Sequence, residues 1–437
     1  MKTRVKIAVQ MKGKDIPGWP CINYDYDKEL SRVTDAVFAK NPDIEFDIFK
    51  YTSLDMAKAD YAEDVKKYDG ILLLLMTNWL KIDKFYIEQS KTGIPVIVAD
   101  VPYCGSGTML SQTSSIIREG GFPVAMVSSL NYNDIADAVT IFSVMKKIKE
   151  SKILVIKNNA ETQEEEAATK IWGCSFINKT AADLMNVYDE IPDDKAEVLA
   201  DKWIKNAVDM LEPSKEEIVQ SAKIYYAVKK MMSELGADAV TIACLELSYN
   251  DIYGNNRHMY PCLSHHQMAN DGEIGVCEAD INSTISSMIA LYLAKRPGFV
   301  SDPVIDTSSD QIIYSHCVAC KKVFGKDDPR TCQYYIRSHA EDKKGASVQV
   351  IFPAGEKLTT IQISNTEGWA SIHSSESVGN AGGDNGCRSK LVAKCNADSV
   401  LRKWMPQWHR ITIFGDYRRS LENLFIMKGF NIVEEDK

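Results

Sequence analysis

The chain has no long apolar run. Its longest, Gly70 to Met76, is far short of the 20 or so residues that a membrane span needs. No membrane partner is therefore expected. A broad basic field is also missing: 51 Lys and Arg stand against 60 Asp and Glu, a formal net charge of −9. Such a balance offers nothing to meet a phosphate backbone, so no nucleic-acid partner is expected. The opening Met1 to Gln10 lacks the apolar stretch of a secretion signal, and a cytoplasmic location is expected. Nucleotide loops are absent as well. The glycines of Tyr-Cys-Gly-Ser-Gly-Thr (103–108) fit neither a dinucleotide fingerprint nor a Walker loop, since no Lys-Ser/Thr follows them. A glycine turn at a strand's carboxyl end accounts for them. No internal repeat or low-complexity tract is visible.

What is there is ordinary for a globular protein. Of 437 residues, 45% are hydrophobic and 25% charged, and that length implies two or three domains. The 11 cysteines are read as reduced, mostly buried thiols. Cys317-x-x-Cys320 lacks the second pair of ligands that a structural zinc site needs and the helix that a redox motif opens.

Apolar strands alternate with helical patterns over the first part of the chain. Val5–Val9, Ile44–Tyr51, Gly70–Met76 and Pro95–Val101 read as strands, with Asp27–Ala39 and Leu80–Lys91 as helices between them. The alternation predicts a parallel sheet covered by helices. A second such block starts near Ser151. It holds strands at Lys152–Lys157, Ser175–Ile177 and Ala237–Glu246, and a helix over Pro213–Leu235 with Ser214 as N-cap and Gly236 as its stop. The acidic stretch Gln163–Ala168 reads as a solvated helix face. Beyond Asp302 the period becomes that of antiparallel strands: Gln311–Ser315, Ala346–Phe352, Leu358–Ser364, Ser389–Lys394 and Arg410–Phe414. A helix over Asp416–Lys428 and a strand over Phe430–Val433 close the chain. The expected fold is α/β: two Rossmann-like parallel-sheet domains (1–150 and 151–300), then a β-rich, barrel-like domain (301–437).

Four polar residues stand where these elements start and end. Glu278 opens a helix over Asp280–Lys295, Asp302 follows that helix, His316 ends a strand, and His409 precedes the last barrel strand. Carboxylates and imidazoles are the ligands that hard-to-borderline divalent cations take from protein. The helix is about 24 Å long at 1.5 Å per residue. Glu278 and Asp302 therefore meet only if the next segment runs back antiparallel to it. Asp306, four residues on, competes with Asp302. Taken singly, Glu278 could serve the helix dipole, Asp302 a turn and His316 the core.

The wording around these residues is more specific. Cys-Glu-Ala-Asp-Ile-Asn (277–282), Arg-Pro-Gly-Phe-Val-Ser-Asp (296–302) and Tyr-Ser-His-Cys (314–317) resemble the L-fucose/L-arabinose isomerase superfamily, especially its fucose-isomerase-like members. Cys-Leu-Ser-His-His-Gln-Met-Ala-Asn-Asp-Gly-Glu-Ile-Gly (262–275) is similar to the loop before that family's first glutamate. Trp-His-Arg-Ile-Thr-Ile-Phe-Gly-Asp-Tyr-Arg (408–418) is similar to its C-terminal histidine segment. The resemblance covers Pro261–Cys317 and Trp408–Val433; elsewhere only the domain order matches. It implies that Glu278 and Asp302 bind a divalent metal, usually Mn²⁺ (Mg²⁺ or Co²⁺ as alternatives), and act as an acid–base pair. His409 would be a further ligand. His316 would be one as in the arabinose branch. It also implies a trimer or hexamer in which a neighbour's N-terminal domain helps close the pocket. The pattern departs from the family where Ser301-Asp302 replaces the arabinose branch's glutamate, at Val318, and where Trp408-His409 replaces a doubled histidine.

These residue types suit aldose–ketose isomerisation. A carboxylate moves a proton between C1 and C2 of an open-chain sugar, and the metal stabilises the enediolate. Arg257, His265 and Gln267 lie in or near the loop before Glu278, and Trp369 could pack on a sugar face. Arg388 could meet an anionic substituent, since the family includes isomerases for sulfonated sugars. A non-catalytic sugar-binding protein of the same fold is the competing reading; a full set of ligands argues against it. An aldolase or epimerase would need a Schiff-base lysine or a dinucleotide loop, and neither can be singled out.

Overall fold

A computed structural model of the chain describes residues 2–91, 93–158, 162–249 and 259–437. By internal contacts the chain divides into two compact units: 1–147 with 419–431, and 148–418 with 432–437.

In the first unit, β1 (Thr3–Gln10), β2 (Ile44–Tyr51), β3 (Gly70–Leu75), β4 (Val96–Asp100) and β5 (Ala125–Ser128) form a parallel sheet ordered β2-β1-β3-β4-β5. All six residues of β3 are buried, as its unbroken apolar run predicts for a strand covered on both faces. Leu73, Leu75, Val96 and Val98 pack against Ile82, Tyr86 and Ile87 of the helix Ile82–Gln89.

The second unit opens with another parallel sheet. β6 (Lys152–Ile156), β7 (Ser175–Lys179), β8 (Ala239–Ile242) and β9 (Ile274–Cys277) lie in the order β7-β6-β8-β9. The helix Lys215–Leu235 starts on a full capping box between Ser214 and Glu217 and stops at Gly236, whose left-handed backbone (φ 64°) suits glycine. Two expectations need correction here. The strand expected over Ala237–Glu246 ends at Ile242, and Cys244–Tyr249 is helical. The acidic stretch Gln163–Ala168 is not wholly solvated: Glu165 is fully buried, paired with Lys157, and accepts from Asn178 (2.9 Å).

The same unit contains a closed barrel. Its strands are β10 (Phe299–Asp306), β11 (Gln311–His316), β14 (Lys357–Ser364), β15 (Trp369–Asn380), β16 (Ser389–Lys394) and β17 (Arg410–Phe414). They pair antiparallel in the order β14-β17-β10-β11-β16-β15, and β15 returns to β14. β18 (Asn431–Glu434) extends the sheet beside β15. The strand expected over Ala346–Phe352 lies outside this ring. As β13 (Ser347–Ile351) it pairs only with β12 (Gln333–Arg337). The fold is thus the expected α/β architecture followed by a β-barrel.

The helix Ile281–Ala294 links parallel sheet to barrel, packing on β9, β14 and β17. Asn282, Ser283, Thr284, Ser286 and Ser287 are all buried on it. The barrel meets part of this polar face: Ser286 donates to Gln362 Oε1 (3.1 Å), and Gln362 Nε2 donates to Ser283 Oγ (2.9 Å). Among the described residues, no helix is long and apolar enough to cross a membrane.

Candidate metal centre

Glu278 leaves the carboxyl end of β9 in a left-handed conformation (φ 65°), and Ala279 repeats it (φ 52°). Two consecutive non-glycine residues in that region cost roughly 1–3 kcal/mol each. The turn is anchored where Ala279 N–H donates to the Ile242 carbonyl (3.1 Å). Asp280 then caps the helix Ile281–Ala294 through Ser283 N–H (2.8 Å).

The barrel supplies the other groups from three neighbouring strands. β10 pairs Ser301 with Arg410 of β17 and Asp302 with Ser315 of β11. His409, Asp302 and His316 therefore lie within about one residue of the same rung. The antiparallel return required for Glu278 and Asp302 to meet is provided by β10. His409 Nε2 is 3.6 Å from Glu278 Oε2 and 3.4 Å from Asp302 Oδ1. His316 Nε2 is 4.0 Å from a carboxylate oxygen of each. Asp306 sits at the other end of β10 and accepts from Ser308 and Ser309 in the hairpin turn.

Three atoms at this point are buried without a hydrogen-bond partner: Asp302 Oδ1, His316 Nε2 and His409 Nε2. Buried polar atoms are rarely left so. One candidate ligand atom each from Glu278, His316 and His409 lie within 4.8 Å of one another. Donors about 2.1 Å from one ion in octahedral geometry stand roughly 3.0 to 4.2 Å apart, which the observed spacings match. The residues present fit a divalent cation held by oxygen and imidazole donors.

The field points the same way. Burial pushes the Glu278 and Asp302 carboxyls above their ordinary values, against the pull of His409. Burial alone would lower His409. The Asp280 hydrogen bond and the charges of Asp280, Asp302 and Glu278 outweigh it and lift the imidazole to about 9. Asp280 would be raised by its burial, but the His409 hydrogen bond and charge hold it below the usual carboxylate range. Three acids around one imidazolium describe a place that stabilises positive charge.

The two imidazoles differ. His409 Nδ1 donates to Asp280 Oδ2 (2.8 Å), so Nε2 is the nitrogen that faces the carboxylates, and it offers a lone pair only once a cation displaces its proton. His316 Nδ1 accepts from the Cys317 backbone N–H (2.8 Å), so its neutral ring carries the proton on Nε2. Burial holds His316 well below its ordinary value, with His409 adding to the effect. In this tautomer His316 is a donor into the site, and to become a ligand it would give up the Cys317 bond.

Asp280 is the residue that sequence reasoning missed. It reads as a helix opener, and so it is; its second oxygen also orients His409. The signal was its place two residues after Glu278, since a ligand histidine needs a partner for its other nitrogen.

The remaining sequence candidates lie as follows. His265 is fully buried beside Gly275 of β9, with both ring nitrogens unpartnered, and burial lowers it to about 3. Gln267 bridges Trp203 Nε1 (2.8 Å) and Asp271 (2.9 Å). Trp369 is buried at the start of β15, and its indole N–H donates to Glu367 (2.5 Å). Arg388 is buried, donates to Ser338 O and Oγ (2.9 Å each) and pairs with Asp384 (3.3 Å). Arg257 lies outside the described residues. Cys387 Sγ is 3.9 Å from Asp302 Oδ2.

No family model matches the chain. Two curated proteins, the sulfoquinovose isomerases of Priestia aryabhattai and Priestia megaterium, are each 24% identical to it over 299 residues. The match covers 62% of this chain and 63% of theirs, so it spans under two thirds of those relatives. Among solved structures, one described as the XylFII molecule covers 55% of this chain and 79% of its own, at 13% identity and a TM-score of 0.19; no argument rests on it. The chain is thus distantly similar to these sulfoquinovose isomerases over that part of its length.

Proposed function

We propose that this protein is a metal-dependent aldose–ketose isomerase acting on a small open-chain sugar. The observation that carries the reading is the convergence of three unpartnered buried atoms, from Asp302, His316 and His409, beside Glu278. Glu278, Asp302 and His409 would hold the cation, with Mn²⁺ the first candidate and Mg²⁺ or Co²⁺ the others. When bound, it would polarise adjacent carbonyl and hydroxyl oxygens of the sugar.

The chain's own groups supply the proton transfers. Glu278 and Asp302 both stand beside His409 Nε2 (3.6 and 3.4 Å), so one can take the proton from carbon while the other serves the hydroxyl. Burial keeps both basic enough for that work. His316 Nε2–H would donate to a sugar oxygen and mark its position. Asp280 holds His409 in the tautomer that faces the centre.

The curated relatives are isomerases of a sulfonated sugar, which supports an anionic sugar as substrate. A homo-oligomer, trimer or hexamer, is part of the proposal. Exposed aromatic rings on the loops after β1, β3 and β4 (Trp19, Trp79 and Tyr103, exposed by 48%, 59% and 72%) support it.

Metal analysis of the purified protein, EDTA treatment and Mn²⁺ add-back with neutral and sulfonated aldoses test the proposal. Turnover lost with EDTA and restored by Mn²⁺ is expected. Tight sugar binding without turnover under every metal would replace it with a binding protein.

A further inference from the structure

The loop that carries Trp408 and His409 is held from behind by charges that never reach the site. Arg410 is fully buried in the barrel, its guanidinium 3.5 Å over the Trp404 ring. Nη1 donates to the carbonyls of Gln407 (3.1 Å) and His409 (3.1 Å). Nη2 donates to the Met405 carbonyl (2.9 Å) and to Glu435 Oε1 (2.8 Å). The same Glu435 oxygen accepts from Met405 N–H (3.2 Å). One arginine and one glutamate thus bind both ends and the middle of residues 405–409.

Glu435 is itself fixed. Fully buried just past β18, it lies 2.9 Å from His373 Nδ1, and His373 Nε2 lies 2.7 Å from the Tyr314 hydroxyl. Thr360 donates to that hydroxyl (3.0 Å). Gln362 adds a bond from β14 to the His409 carbonyl (2.9 Å). A buried ion pair is seldom worth more to stability than apolar residues of the same volume. What this one does distinctively is orient a backbone segment, and that segment presents a candidate ligand.

We propose that Arg410 and Glu435 form a positioning clamp that preorganises the 405–409 loop, so that the C-terminal segment of the chain sets the affinity of the metal centre through His409. The inference rests on the metal-site reading above, and its test separates the two.

The full-length chain would be compared with the double variant Arg410→Met/Glu435→Leu, which removes both charges and keeps the volume. Mn²⁺ affinity would be read from the electron paramagnetic resonance of free Mn²⁺, and hydrogen exchange of 405–409 from the metal-free protein. Mn²⁺ binding 10- to 100-fold weaker, faster exchange confined to this loop, and an unfolding temperature within a few degrees of the parent are expected. Unchanged exchange and affinity in a folded variant would overturn the clamp and leave the site standing. If the parent binds no Mn²⁺, the site reading fails, and the exchange result alone decides the clamp. Should the double variant not fold, Glu435→Gln is decisive by the same two readouts.

Discussion

His409 takes its orientation from one acid and faces two others. Nδ1 is occupied by Asp280, and Nε2 looks at Glu278 and Asp302. Glu278→Gln keeps the shape of the side chain and removes its basicity, so it should fold normally and lower kcat by about 10²- to 10⁴-fold; steady-state kinetics on the isomerised sugar would show it. Asp280→Asn should act differently. It leaves every proposed ligand in place but loses the charged acceptor that fixes the ring, so Mn²⁺ affinity should fall about 10- to 100-fold. Kinetics at saturating Mn²⁺ separate the two, because excess metal should restore Asp280→Asn but not Glu278→Gln, which has lost the base itself. At this scale the sequence was informative about Glu278, Asp302, His316 and His409, each carried by local wording. It was silent on which imidazole nitrogen faces inward, because that depends on partners 129 residues away in the chain, as for His409 and Asp280.

The helix Ile281–Ala294 and strands β10, β11 and β17 deliver these groups. The helix was legible from its limits, since Asp280 caps it and Lys295 ends it in a left-handed turn (φ 56°). β10 was anticipated only as an extended return, because Pro303 interrupts its pattern. Pro303 is tolerated although it cannot donate to the ladder. β15 went unread. Its stretch Ser-Ile-His-Ser-Ser-Glu-Ser has few β-branched residues, and its burial is set by partners on both sides, β14 and β16. A packing prediction belongs here. A Cβ at Gly298 would stand 2.3 Å from Ile411 Cγ2, so helix exit and β17 depend on the missing methyl. Gly298→Ala should destabilise by about 1–3 kcal/mol through overpacking. Chemical denaturation would measure it, and a neutral result would mean that β10 and β17 can separate without loss.

For the whole molecule, three buried histidines make stability pH-dependent. Burial lowers His265 to about 3, and His266 and His339 to about 4. In the unfolded chain all three titrate near 6.5. Their folded values lie below the unfolded one, so the unfolded chain binds more protons as pH falls beneath 6.5. The stability that these three contribute is therefore full above about 6.5 and declines toward 4, by up to about 1.4 kcal/mol per pH unit for each histidine. Melting the metal-free protein at pH 7.5 and 5.5 should show a lower unfolding temperature at 5.5; equal values would mean that these rings protonate in place. A bound cation should act oppositely. Mn²⁺ at 100 times its Kd should stabilise by about 2.7 kcal/mol, seen as a thermal shift that EDTA reverses.

The sequence by itself determined the class of architecture, two parallel α/β sheets before a β-rich region, because strand and helix periodicity and local caps are written residue by residue. It also determined which side chains could serve a cation, through short segments similar to a known family. Only the tertiary structure decided that β10 returns along the helix, that six strands close a ring while β12 and β13 stay outside it, and that Asp280, Arg410 and Glu435 stand behind His409. These are long-range contacts. They depend on which strands become neighbours and which buried polar groups must then be satisfied, and no local pattern of residues carries that information.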